Sequence, residues 1–112
     1  MSLETTLDAT LGEAVVDFHI QVTNVGQEAV TLRFRTGQRF DVIVTEADTG
    51  KTVWRWSAGR LFTQAITHIT LTPDETLSDT LTWSDPPTGT YEATGVLKAD
   101  NGVSATTTVV VE

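Results

Sequence analysis

The chain has no cysteine, so disulfides and thiolate chemistry are excluded and its stability must come from packing. Lysine is nearly missing, with Lys51 and Lys98 the two examples. Two isolated histidines, His19 and His68, the latter with no carboxylate at metal-ligand spacing, and no cysteine argue against a zinc centre. No apolar run approaches the ~18–20 residues that cross a bilayer as a helix. The first ten residues lack a basic end followed by an apolar block, so no secretory signal is expected. A small secreted domain would more often carry a disulfide, and the lack of one points to the cytoplasm.

What is present is an acidic chain of 112 residues with a net charge of −8 and mean hydropathy near zero, the profile of one soluble globular domain spanning 1–112. That charge disfavours nucleic acid and anionic membranes as partners. Threonine fills roughly a fifth of the positions, well above ordinary usage. Abundant acid with little lysine fits a salt-rich habitat, and equally an ordinary acidic β protein.

Nearly every segment alternates apolar and polar residues with period two, the pattern of strands with one buried face. Val16, Phe18, Ile20 and Val22 oppose Asp17, His19, Gln21 and Thr23. The same pattern runs through Leu3 to Leu11, Val30 to Phe34, Phe40 to Val44, Leu77 to Trp83, Tyr91 to Leu97 and Val103 to Val111. Turns are expected at Gly12-Glu13, at Asn24 to Glu28 with Gly26 at positive φ, and at Asp48-Thr49-Gly50. Others are expected at Pro73-Asp74-Glu75, at Asp85 to Gly89, and at Asp100-Asn101-Gly102 with two left-handed positions. Eight or nine short strands and no helix predict an all-β antiparallel sandwich. Tyr91, opening a late strand after Pro86-Pro87-Thr88-Gly89-Thr90, resembles the tyrosine corner of immunoglobulin-like folds.

Catalytic inventories fail. His19 falls on the outward phase of its strand, no G-x-S-x-G is present, and the glycines punctuate turns without forming a phosphate cradle. No enzyme activity, metal or cofactor is expected. Positive charge concentrates instead between Arg33 and Arg60, which holds six of the seven basic residues and three of the fifteen acids. Trp54 and Trp56 share one face of a strand there, and at least one is expected in the core. The loops at 36–39 and 57–64 would then present aromatic and arginine groups, the types most enriched at protein-binding hot spots. The partner-binding candidates are Arg39, Arg55, Ser57, Arg60, Leu61, Phe62 and Gln64. Gly59 gives the second loop its reach.

Three stretches together resemble a known family: Phe34-Arg35-Thr36-Gly37-Gln38-Arg39-Phe40-Asp41-Val42, then Asp48-Thr49-Gly50-Lys51-Thr52-Val53-Trp54-Arg55-Trp56-Ser57, then Phe62-Thr63-Gln64-Ala65. As a set they look like the intracellular proteinase inhibitor domain of the BsuPI type. The likeness runs from about Val22 to Leu71-Thr72-Pro73, on to Trp83, and reaches Gly89-Thr90-Tyr91. It implies an immunoglobulin-like β-sandwich and a cytoplasmic inhibitor of a subtilisin-type serine protease; the residues themselves suggest that such an inhibitor would occlude the active site with a surface or loop, with 57–64 the best candidate. It also marks Phe34, Gly37, Gln38, Phe40, Trp54, Trp56 and Tyr91 as structural motif residues. One departure is Asp74, where the family usually has the glycine of a Pro-Gly-Glu turn. The competing readings are a non-inhibitory protein-interaction module using the same surface and a purely structural accessory domain.

Overall fold

A computed structural model describes residues 2–112 and contains nine antiparallel strands and no helix among them. In chain order these are β1 (Leu3–Gly12), β2 (Val15–Asn24), β3 (Val30–Phe34), β4 (Phe40–Glu46) and β5 (Thr52–Arg55), then β6 (Thr67–Leu71), β7 (Thr76–Ser84), β8 (Gly89–Leu97) and β9 (Ser104–Val111). One sheet has the order β1-β2-β7, a second β5-β4-β8-β9, and β3 and β6 form a separate pair. The two larger sheets face each other across one hydrophobic cluster, an arrangement compatible with an immunoglobulin-like sandwich.

Register follows from alternation, since a one-residue slip would turn every buried side chain outward. Val16, Phe18, Ile20 and Val22 of β2 are fully buried, as are Val42 and Val44 of β4 and Ala93 of β8. Gly95 lets the sheets approach closely: a Cβ there would lie 2.8 Å from Ile20 Cδ1 and 3.1 Å from Leu7 Cδ1. Tyr91 packs edge-on against Trp83 and its hydroxyl donates to the Pro87 carbonyl at 2.8 Å, bracing the Pro-rich loop four residues back. This is the tyrosine-corner geometry expected from the sequence.

Several turns depart from expectation. Gly26 is not at positive φ. The turn is held instead by Asn24, whose buried side-chain amide donates to the Glu28 and Leu71 carbonyls and whose Oδ1 accepts from Gly26 N. Neither Asn101 nor Gly102 is left-handed. The loop between β8 and β9 is wider than a two-residue turn because it is drawn onto β3, where Asp100 N donates to Arg33 O and Ala99 bridges Phe34. At Pro73-Asp74, Asp74 has a φ of 72° and Glu75 N closes the turn on Thr72 O, so aspartate takes the left-handed place that glycine would occupy. The Glu75 carboxylate accepts from the Thr72 amide and hydroxyl, and these bonds hold its pKa below the usual carboxylate range.

The tryptophans divide differently from expectation. Trp83 is buried, whereas Trp54 and Trp56 are each half-buried against the core. Both lie at the edge of the four-stranded sheet, where β5 is the outermost strand among the described residues. The core can therefore cover one side of each ring.

Candidate functional site

Residues 57–64 cross from the end of β5 towards β6 without regular structure, and the scaffold grips the segment at both ends. At its start, Asp41 is buried on β4 and its carboxylate accepts three hydrogen bonds. These come from Val42 N at 2.9 Å, Ser57 N at 3.1 Å and Ser57 Oγ at 2.6 Å. A buried carboxylate needs such partners to offset lost hydration. At its end, Gly37 N donates to Thr63 O at 2.8 Å, fastening the loop to the turn before β4.

Between these anchors Trp56 is a pedestal. The Arg60 guanidinium lies over its ring at 4.2 Å from the centroid, and Arg60 Nε donates to Trp56 O at 2.8 Å. Phe62 packs on the same indole with ring centroids 5.9 Å apart. Gly59 has a φ of 77°, in the left-handed region that favours glycine, and it reverses the chain so that Arg60 folds back over Trp56. With residues 60 and 62 turned inwards, Leu61 is thrown fully into solvent, with an exposure of 100%.

The candidate residues thus fall into two groups. Ser57, Arg60, Leu61, Phe62 and Gln64 share the loop, with Leu61 and Gln64 exposed at its surface. Arg55 is exposed on β5 beside it. Arg39 turns away: its guanidinium covers the Phe34 ring at 4.4 Å and donates to Thr67 Oγ1 at 2.7 Å. Ser57 also commits both its hydroxyl and its amide to Asp41. Among the motif residues, Phe34 and Phe40 are core, Gln38 braces the Phe40 carbonyl, Gly37 clips the loop and Trp56 carries it. Trp54 stacks on both Phe18 and Trp83.

Arg33 and Arg35 form a separate cluster, where both pair with Asp100 at 2.7 and 2.8 Å. The hydrogen bond from Arg35, then that from Arg33, holds the Asp100 carboxyl below its usual range, and the same bond raises Arg35. Asp41, which ties the loop to the sheet, is not among the candidate residues the sequence suggests. Its sequence signal was an acid immediately after the inward Phe40, with a serine closing Trp54-Arg55-Trp56-Ser57 to receive it. Among the described residues no cluster of three or more His, Asp or Glu could hold a metal, and no helix is long and apolar enough to cross a membrane.

Residues 3–102 match the family model described as intracellular proteinase inhibitor, BsuPI. No curated protein matches the chain. Among solved structures, a β-glucosidase from Kluyveromyces marxianus is similar over 99% of this chain, at 12% identity and a TM-score of 0.51. The chain spans 14% of that protein's length, and the likeness is one of fold alone.

Proposed function

The chain belongs to the BsuPI family of intracellular proteinase inhibitors, and on that premise we propose that it restrains a subtilisin-type serine protease in the cytoplasm by seating residues 57–64 in the enzyme's substrate cleft. The observation that carries this reading is the clamping of that loop at Ser57 by Asp41 and at Thr63 by Gly37, with Trp56 beneath it. A loop already held in one shape loses little conformational freedom on entering a protease cleft. In a chain without disulfides, hydrogen bonds and an aromatic pedestal do the clamping that a covalent bridge would otherwise do. Arg55, just before the loop, and Arg60, within it, add positive charge to an acidic molecule, which orients approach to an acidic rim.

The test is titration of a panel of proteases, comprising subtilisin, a papain-type cysteine protease and a thermolysin-type metalloprotease, with the purified protein. Stoichiometric loss of subtilisin activity, with the other two spared, is the expected result. Undiminished activity of all three would overturn the reading.

A further inference from the structure

We infer, resting on the inhibitory reading above, that Leu61 is the side chain that enters the protease's primary specificity pocket, that this pocket is apolar, and that the loop binds in substrate-like register with the Leu61–Phe62 bond against the catalytic serine. Three observations converge on this one residue. Arg60 and Phe62 both turn onto the Trp56 ring, so the chain alternates in, out, in, as an extended strand does, with Leu61 as the outward member. Its exposure of 100% stands well apart from the 41–56% of the other exposed large apolar side chains among the described residues. Finally, among the described residues the main-chain groups of Leu61 and Phe62 form no hydrogen bond within the molecule, while their neighbours Arg60 and Thr63 do. Strand pairing uses every second residue, so the free main-chain N–H and C=O of Leu61 are the groups an enzyme backbone can meet.

A fully exposed leucine contributes nothing to the fold, whereas inserted into an apolar pocket it regains the free energy of its buried surface. The same geometry explains how such a loop inhibits without being consumed. The serine oxygen attacks the Leu61 carbonyl carbon, and the hydroxyl proton passes through the enzyme's base to the Phe62 nitrogen as the C–N bond breaks. Phe62 stays on Trp56 and Thr63 stays on Gly37, so the new amine remains beside the ester. Its return attack re-forms the peptide bond and expels the serine, which recovers its proton.

The experiment measures inhibition constants of wild type, Leu61→Ala, Leu61→Asp, Leu61→Lys and a control, Leu11→Asp, against subtilisin and trypsin. Leu11 is half exposed at the end of β1, away from the loop. Leu61→Ala is expected to weaken subtilisin inhibition about 10- to 100-fold. Leu61→Asp should weaken it further, and Leu11→Asp should leave it unchanged. Leu61→Lys should acquire trypsin inhibition, because the trypsin pocket carries an aspartate. Thermal midpoints of the Leu61 variants should match wild type, so folding does not confound the comparison. On prolonged incubation with subtilisin, mass spectrometry should find a single slow cut giving fragments 1–61 and 62–112. If wild type inhibits subtilisin but the Leu61 variants inhibit equally well, or the cut falls elsewhere, this inference is wrong while the inhibitory reading stands. If wild type inhibits neither enzyme, the inhibitory reading fails and takes the inference with it.

Discussion

Trp83 and Trp56 sit in two aromatic clusters of the same chemistry with opposite consequences. Trp83 belongs to a run of rings, Phe18, Trp54, Trp83 and Tyr91, at centroid spacings of 6.1, 5.6 and 5.1 Å, and it is buried between the sheets. Trp56 lies one residue past the end of β5 and touches Phe62 and Arg60, both from the loop that follows it. The first cluster closes the core. The second uses one face of an indole to hold a loop and thereby pushes another side chain out. An aromatic ring inside a sheet adds stability, whereas a ring at a sheet edge can also fix the shape of whatever crosses it.

The contrast is broken most severely by truncating each ring in turn. Trp83→Ala should cost about 3–5 kcal/mol of unfolding free energy, the usual range for a large aromatic removed from a core. The fraction that stays folded should inhibit normally. Trp56→Ala should cost less, since its ring is half-buried, yet should reduce inhibition because Arg60 and Phe62 lose their seat. Denaturant melts and inhibition constants measured on the same samples separate the two effects, and a Trp56→Ala protein that inhibits normally would remove the pedestal from the account.

A smaller effect is expected at Asp41. Asp41→Ala leaves the amides of Ser57 and Val42 and the Ser57 hydroxyl without their acceptor, a loss on the order of 1–3 kcal/mol. Proteolytic nicking should appear within residues 57–64 before the rest of the chain becomes susceptible. Equal susceptibility of wild type and variant would show that the Ser57 anchor is dispensable.

The smallest effect belongs to the other arginine cluster. Asp100 has a pKa lowered in the folded state by Arg35 and then Arg33. Its contribution is therefore fully present above the unfolded aspartate pKa of about 4 and is lost as pH falls through the lower folded value. Asp100→Asn should accordingly flatten the acid limb of the stability curve, with inhibition at neutral pH unaffected. The change should be slight because the pair faces solvent.

These differences also mark how far the sequence could be read. Alternation placed the strands because burial of one sheet face acts on every second residue, as in Val16, Phe18, Ile20 and Val22. It does not reach polar residues whose partners lie far along the chain. Asp41 became a buried anchor through Ser57, sixteen positions away, and Asn24 through Leu71, forty-seven away. Asp100-Asn101-Gly102 resembled a tight hairpin turn, but Arg33 and Arg35 hold the aspartate against β3 and widen the loop. The positive segment was visible as a count. That two of its arginines would share one carboxylate, while Arg39 and Arg60 would lie on rings, depended on tertiary contacts. The loop at 57–64 was legible as a candidate because glycine, arginine and apolar residues interrupt the alternation there, but its shape rests on Trp56.

The central claim is that this loop, and not the second arginine cluster, is what a protease grips. Amide hydrogen exchange of the protein alone and in complex with subtilisin tests it most directly. The account predicts new protection at residues 58–64 and at the neighbouring turn of 36–38, with residues 98–103 exchanging as in the free protein. Protection centred on residues 98–103 or on β3, with 58–64 unchanged, would contradict it.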